Sequence, residues 1–251
     1  MLFYVAILTL MALLAVLNAV VPLPGFNFFV PLFGTFMTIE QAITFITVYF
    51  LLTSTILTYV FREHLRSDLL FELLPVSVVG AVLGAYLSSS LNELALTVII
   101  LCFVLYFFQK RLRSGVAKTN VQTAISKRPK GRNTAIIGII SGFLQGGGFG
   151  GGDVRNNYLY AHQLSLQEVR ATTAAVGVGI FIISLIVRFV GGSLTISYGW
   201  LYVFLIPIAI ASSYLGRHIT HKLNNKAQHE IVIALMMISL LLLSNKILNL
   251  I

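Results

Sequence analysis

The chain has 251 residues, of which 57% are hydrophobic and only 10% are charged, and its mean hydropathy is +0.92. Because soluble domains carry about 25% charged residues, this composition excludes an ordinary soluble enzyme. It predicts an all-α polytopic membrane protein without a separate soluble domain. The one cysteine excludes an internal disulfide framework.

Long apolar segments follow one another along the chain, four on each side of a basic stretch. Each is predicted to be a transmembrane helix, because about 20 apolar residues with few charges span a bilayer. The first segment lacks a basic start and a clear cleavage site, so it is interpreted as a helix and not as a signal peptide. The predicted segments are 1–21, 39–61, 69–90, 93–109, 133–150, 169–190, 197–217 and 229–249.

The two sets of segments predict two homologous repeats of about four transmembrane helices each, 1–112 and 133–251. At one constant offset, Pro75, Leu83, Gly84, Leu91 and Asn92 recur as Pro207, Leu215, Gly216, Leu223 and Asn224. Upstream, MTIEQAITFIT aligns with QLSLQEVRATTA at a slightly smaller offset, which pairs Thr38 with Ser165. Transporters are often built from such repeats, with the substrate site where their broken helices meet. Four crossings per half would make the repeats parallel, whereas the loop charges favour inverted repeats.

The linker between the repeats, 113–132, lies in the most basic part of the chain. Eight of the seventeen Lys and Arg residues fall between Lys110 and Arg132, with no acidic residue among them. In a polytopic protein this pattern predicts a cytoplasmic loop, with anionic lipid headgroups as the counter-charge. The net charge of +9 therefore points to the bilayer, and nucleic acid is not the expected partner but stays the weaker alternative.

Two irregular stretches follow the first helix of each repeat, and we predict broken or re-entrant segments near 22–34 and 146–163. The second contains six glycines in the seven residues 146–152. Gly146, Gly148 and Gly151 match G-x-G-x-x-G, but the preceding residues indicate a membrane helix and not the strand of a dinucleotide site. The chain has no P-loop, H-E-x-x-H, cysteine pair or G-x-S-x-G, so we predict no enzyme activity, no cofactor and no metal.

The glycine run predicts an anion site. Each glycine weakens a helix by about 1 kcal/mol relative to Ala, and irregular backbone at membrane depth is tolerated only where it is buried or lines a cavity. Freed N–H groups and the start of a following half-helix can hold an anion. The alternative is close helix packing through small residues, which suits Gly138 and Gly142 well.

The candidate substrate-binding residues come from both irregular stretches and from the helices that follow them. They are Gly25, Asn27, Thr44, Thr47, Gly150, Gly151, Gly152, Arg155, Asn156, Asn157, Thr172 and Thr173. For Thr172 and Thr173 the alternative is a hydrogen bond to their own helix backbone. Arg188, near the end of its segment, is interpreted as a side chain that snorkels to the interface.

Asp153 and His162 are the candidate coupling residues. An extended Asp153-Val154-Arg155 would aim both charged side chains into one cavity, where Asp153 could release Arg155 to the anion on protonation. The alternative is a permanent ion pair that only fixes the turn. His162 could relay protons near this cluster.

The order of these features resembles the TauE/SafE family, often called sulfite exporters. The matching residues are GGG at 150–152 and QEVRATTA at 167–174, together with FVPLFGTFMTIEQA in the first half. The resemblance covers nearly the whole chain and implies helical transport of small organosulfur compounds or sulfur oxyanions. It also implies the cytoplasmic (inner) membrane of a prokaryote, with several crossings. DVRNN stands where the family usually has apolar residues and proline, so this site is more polar than is usual in the family.

We therefore predict a secondary transporter for a small anion, driven by an ion or proton gradient because no nucleotide site exists to power it. An organosulfonate, sulfite or a related sulfur oxyanion is the expected substrate on the resemblance. An anion channel and a non-transporting membrane scaffold with a structural Asp–Arg pair remain alternatives. A homo-oligomer is compatible with the sequence.

Overall fold

In the described part of the computed structural model, all regular secondary structure is helical. The described part comprises residues 2–20, 26–114, 131–192, 199–219 and 225–250. The α-helices are α1 (Leu2–Val20), α2 (Phe26–Phe33), α3 (Ile39–Val60), α4 (Ser67–Ser90), α5 (Glu93–Ser114), α6 (Gly131–Gly146), α7 (Gly152–Ala161), α8 (Leu166–Val190), α9 (Gly199–Ile219) and α10 (Asn225–Leu250). A short 3₁₀ turn, Arg62–His64, precedes α4. The predicted all-α fold class is confirmed.

The eight predicted segments correspond to the eight long helices, and each irregular stretch contains one of the short helices, α2 or α7. Among the described residues, five helices are long and apolar enough to cross a membrane: 39–60, 67–90, 93–110, 166–190 and 230–250. Three further apolar helices are shorter: 7–18, 134–146 and 201–214. This confirms a polytopic membrane protein. Most of the basic linker, 115–130, lies outside the described residues.

Several helices start at positions that the sequence alignment of the two halves pairs with each other. Helix α8 begins directly after Ser165, and α3 begins directly after Thr38, the residue paired with Ser165. Helices α9 and α10 begin at the positions that pair with the starts of α4 and α5, at the offset that relates Pro75 to Pro207. The helix starts therefore agree with the duplication found in the sequence.

The starts of α3 and α8 are also capped by the same pattern of hydrogen bonds. Thr38 and Gln41 exchange side chain–backbone hydrogen bonds of 3.2 and 3.3 Å, and Ser165 and Glu168 do the same at 2.8 and 3.3 Å. Such a capping box satisfies two N–H groups that a helix start leaves free. The paired residues Thr38 and Ser165 thus have the same local role in the two halves.

The chain divides into two compact units, each drawn from both halves of the sequence. The first contains described residues within 1–46, 91–120 and 195–251. Here α9 packs on α1, and α10 packs on α5 and α2. Lys246 of α10 pairs with Glu93 of α5 at 2.8 Å and donates to the carbonyls of Gly34 and Met37 at 2.5 and 3.1 Å. Because these carbonyls follow the end of α2, the ammonium supplies donors where the helix provides none.

The second unit contains described residues within 47–90 and 121–194 and carries the glycine run. Helix α4 packs against α6 and α8, and α7 contacts α6 and α8. The four helices α4, α6, α7 and α8 therefore position the candidate site.

Candidate functional site

The glycine run breaks the helix. Helix α6 ends at Gly146, and the backbone then turns through Gly148 and Gly150, whose φ angles of 82° and 80° lie in the left-handed region. Glycine adopts this region without the steric cost that a Cβ would add. The N–H of Phe149 donates to the carbonyl of Leu144 at 2.7 Å, which satisfies one of the last carbonyls of α6. The predicted break at this point is confirmed.

The segment after the turn is helical, so the prediction of an extended Asp153-Val154-Arg155 is wrong. Helix α7 starts at Gly152, and only that glycine of the run lies within it. The residues that follow contain no helix breaker, and Asp153 lies in the first turn, where the helix dipole favours a negative charge. In a helix, residues two apart point to opposite sides. Asp153 and Asn157 are accordingly exposed, whereas Arg155 is buried.

Arg155 is the central side chain of this part of the molecule. It is only 1% exposed, and its Nη1 donates to Oε1 of Gln145 at 2.9 Å. Among the described residues, its Nε has no hydrogen-bond partner. Gln145 is itself buried in the last turn of α6, so the glycine turn brings the end of one helix onto the start of the next. A buried guanidinium with an unused donor is a position at which an anion would be stabilised.

Three polar residues of the prediction form contacts between α8 and its neighbours: Thr172 and Thr173, which lie on α8, and Asn156, which lies on α7. The hydroxyl of Thr173 donates to Oδ1 of Asn156 at 2.6 Å, which links α8 to α7. The hydroxyl of Thr172, fully buried, accepts the backbone N–H of Arg66 at 3.3 Å. The guanidinium of Arg66 lies 3.6 Å from Glu168 at the start of α8. Thr173 therefore orients a neighbour on α7, whereas Thr172 holds the loop before α4.

Arg188 does not snorkel, and that interpretation was wrong. Its side chain is fully buried, and Nη2 donates to the hydroxyl of Ser88 at 2.6 Å and to the carbonyl of Gly146 at 3.4 Å. Gly146 is the last residue of α6, so the cation lies at the helix end where the dipole favours positive charge. The physical reason for the error is that polar groups of α4 and α6 reach Arg188 inside the unit, so it need not reach the interface.

Glycines also allow α4 and α6 to pack closely, as predicted for Gly138 and Gly142. A Cβ on Gly142 would lie 2.7 Å from the backbone carbon of Ser77, and one on Gly80 would lie 2.8 Å from the backbone nitrogen of Phe143. Real Cβ atoms essentially never approach so closely. A Cβ on Gly151 would likewise lie 3.1 Å from the backbone nitrogen of Gln145. The glycines of this unit thus combine close packing with the helix break.

The candidate residues of the first half lie on α2 and α3. Asn27 of α2 is 1% exposed, and among the described residues its amide has no hydrogen-bond partner. The hydroxyl of Thr44 donates to the carbonyl of Glu40, which is a bond to its own helix backbone. Thr47 is buried, and Gly25 lies outside the described residues.

The two candidate coupling residues lie near opposite ends of α7, Asp153 in its first turn and His162 directly after its last residue. Asp153 is exposed near its start. The ring of His162 meets the ring of Tyr158 edge-on, with centroids 4.6 Å apart. The hydroxyls of Tyr158 and Thr134 lie 2.5 Å apart, so His162 is next to a buried hydroxyl pair.

The comparison with known protein families shows to which family the chain belongs. A family model described as Sulfite exporter TauE/SafE matches residues 6–243. The chain belongs to the TauE/SafE family. No curated protein and no solved structure matches it. The predicted resemblance is confirmed over nearly the whole chain, and the protein is a membrane transport protein of a sulfite exporter family.

In this TauE/SafE protein, Arg155 and Asn156 were candidates from the sequence, whereas the contact residues Gln145 and Ser88 and the burial of Arg188 were not predicted. Gln145 has a sequence signal, because it is the one amide in the apolar run before the glycines. A buried amide in such a run needs a polar partner. Ser88 carries no comparable signal, since two further serines follow it directly.

Proposed function

We propose that the protein is a secondary transporter that moves a small anion across the cytoplasmic membrane of a prokaryote, driven by an ion or proton gradient. The expected substrate is an organosulfonate, sulfite or a related sulfur oxyanion. The observation that carries the proposal is the burial of Arg155 with an unused Nε donor. A charged side chain at the bilayer centre costs about 2.5–3.5 kcal/mol on insertion scales, and such residues usually mark substrate paths.

Three features next to Arg155 support an anionic ligand. The side chain lies in the first turns of α7, whose first N–H groups lack carbonyl partners within the helix. The dipole of that helix start favours negative charge. Among the described residues Arg155 forms no ion pair, so no carboxylate competes with a ligand for its charge.

The test compares Arg155→Gln, Arg155→Lys and the control Arg62→Gln, which removes an exposed arginine of the loop before α4. Sulfite and methanesulfonate should raise the apparent melting temperature of the parent and of the control, because they bind only the folded state. Arg155→Gln should remain folded and lose this shift. Arg155→Lys should keep part of it, since the charge remains without the planar fork. An unchanged shift in Arg155→Gln would show that the anion binds elsewhere.

Measuring the flux of a labelled anion into proteoliposomes distinguishes a transporter from a channel. A transporter coupled to a proton or sodium gradient should accumulate labelled anion against its own gradient, whereas a channel should only equilibrate it. Loss of pH-driven accumulation in Asp153→Asn or His162→Gln would identify the coupling residue. Absence of both flux and anion binding in the parent would favour the scaffold.

The orientation is tested through the basic linker. Cys102 is the only cysteine, so Cys102→Ala provides a cysteine-free background. A cysteine introduced at Thr119 should react with a membrane-impermeant reagent only after the cells are opened, as expected of a cytoplasmic loop. Labelling from outside intact cells would contradict this orientation.

A further inference from the structure

The ammonium of Lys246 lies where three oxygens from different parts of the first unit converge. It is 2.8 Å from Oε1 of Glu93, 2.5 Å from the carbonyl oxygen of Gly34 and 3.1 Å from that of Met37. A lysine ammonium carries three N–H donors, so the three oxygens match its donors in number. We call these three oxygens the α2-end cage.

The two carbonyls of the α2-end cage have no other donor. Gly34 and Met37 lie in the turn between α2 and α3, outside both helices. Among the described residues, no backbone N–H donates to either carbonyl. Both residues are buried, and a buried carbonyl without a donor is costly. The turn therefore leaves two oxygens that require a cation or a donor from another part of the chain.

Glu93 is held beside the turn by a second contact. Its Oε1 also accepts the backbone N–H of Ile39, the first residue of α3, at 3.3 Å. This hydrogen bond does not involve Lys246, so it keeps the carboxylate near the two carbonyls when the ammonium is removed. The α2-end cage is thus built by the turn, by Glu93 and by the start of α3, and the lysine fills it.

The charge and the distances of the α2-end cage fit a large monovalent cation. One carboxylate and two neutral carbonyls give it a single negative charge. Oxygens bind Ca²⁺ at about 2.3–2.6 Å and Mg²⁺ at about 2.0–2.1 Å, whereas two of the three distances here are 2.8 and 3.1 Å. Backbone carbonyls replace the hydration shell of K⁺ in potassium channels. K⁺ and primary ammonium ions therefore belong to the class of ligand that this cage accepts.

We infer that the α2-end cage is a binding site for a monovalent cation, in which Lys246 is the built-in occupant. The lysine supplies from α10 the charge that a dissolved K⁺ or ammonium ion would otherwise supply. Its side chain is 17% exposed, so a small cation can reach the cage once this side chain is shortened. The inference does not depend on an anion at Arg155, which lies in the other unit.

The experiment removes the built-in occupant and supplies a dissolved one. Thermal unfolding of the purified full chain is measured for the parent and for Lys246→Ala in the chloride of potassium, methylammonium or tetramethylammonium, at equal ionic strength. Tetramethylammonium is the reference, because its four methyl groups leave no N–H donor and keep its charge away from the oxygens.

Lys246→Ala should melt below the parent in the reference salt. At about ten times its dissociation constant, K⁺ or methylammonium should raise the melting temperature of Lys246→Ala by roughly 3–6 °C, because it binds only the folded state. The parent should melt at the same temperature in all three salts, since its own ammonium fills the cage.

Two further variants test whether the α2-end cage binds the added cation. Lys246→Ala combined with Glu93→Gln lacks the carboxylate and should lose the rise. The control Arg113→Ala removes an exposed cation near the other end of α5 and should melt alike in the three salts, as the parent does.

Equal melting temperatures of Lys246→Ala in the three salts would overturn the cation site and leave Lys246 as an ordinary contact of the helix end. An equal rise in the parent or in the double variant would show a general effect of the salts and would also overturn it. If Lys246→Ala is too unstable to purify in the reference salt, its yield of folded protein in the other two decides. Recovery there supports the site, and failure in every salt overturns it.

Discussion

The packing of α4 on α6 predicts a large difference between two glycine-to-alanine substitutions in the same unit. Gly142 faces the backbone of Ser77, and a Cβ there would lie 2.7 Å from the carbonyl carbon and 2.8 Å from Cα. At Gly152 a Cβ would meet nothing within 4 Å. Gly142→Ala should therefore destabilise the protein, and Gly152→Ala serves as the control for stability.

The magnitude follows from the distances. Ordinary van der Waals contact begins at 3.4 Å, so α4 and α6 must separate by more than about 0.7 Å to admit the methyl group, because the carbonyl oxygen of Ser77 lies closer still than its carbonyl carbon. A gap of about 0.5–1 Å forfeits a quarter to a half of the dispersion energy between the facing atoms. Overpacking typically costs about 1–3 kcal/mol, and the better helix propensity of Ala returns about 1 kcal/mol at most.

The assay is thermal unfolding in detergent, followed by fluorescence-detected size exclusion. At about 2–4 °C per kcal/mol for a chain of this size, Gly142→Ala should lower the apparent melting temperature by roughly 2–8 °C. Gly152→Ala should not lower it, because the added Cβ meets no atom within 4 Å. A Gly142→Ala protein as stable as the parent would refute the close packing of α4 on α6. An equal loss in both variants would indicate a general effect of losing glycine and not a contact.

Three further predictions concern stability and are checked by the same melts. Lys246→Gln should lower the free energy of unfolding by about 1–3 kcal/mol, because it removes the ammonium that donates to the carbonyl of Gly34. Lys246→Arg keeps the charge and should recover part of this stability. Equal losses in both variants would argue against a role of the charge. Arg188→Gln should cost about 1.5–3 kcal/mol, because it removes hydrogen bonds from a charged donor, and a snorkelling arginine would show almost no loss. Thr38→Ala and Ser165→Ala should each cost about 0.5–2 kcal/mol and by similar amounts, because both open a capping box; a loss in only one would contradict the equivalence of the two helix starts.

Hydropathy and spacing were sufficient for the helical fold. The eight long helices lie within a few residues of the predicted segments, because long apolar runs have one stable form in a bilayer, in which the backbone satisfies its own hydrogen bonds. The helix break was also predictable, since six glycines in seven residues cannot sustain a helix. The predicted duplication agrees with the helix starts, and superposition of Pro75 on Pro207 remains to be tested.

Local sequence could not give the conformation of 153–155. The glycines suggested an extended chain, but the turn is complete by Gly151, and the polar residues after it start a new helix. Partners distant along the chain could not be predicted either. Arg188 and Ser88 are 100 residues apart, and Arg66 and Thr172 are 106 apart. Only tertiary packing reveals that the arginine near the end of α8 has polar neighbours inside the protein.

Helices of the first half of the sequence pack on helices of the second half, and this determines the order in which the units can assemble during biosynthesis. Helix α1 packs on α9, and α4 packs on α6, so each of these helices has a partner in the other half. Helix α9 begins roughly 180 residues after α1 ends, which corresponds to about 10–40 s of translation at ~5–20 residues per second. Helix α6 begins only about 40 residues after α4 ends, which corresponds to roughly 2–8 s of translation. The nascent chain therefore completes the unit with the glycine turn first, while α1 stays in the lipid without its partner until synthesis is nearly finished.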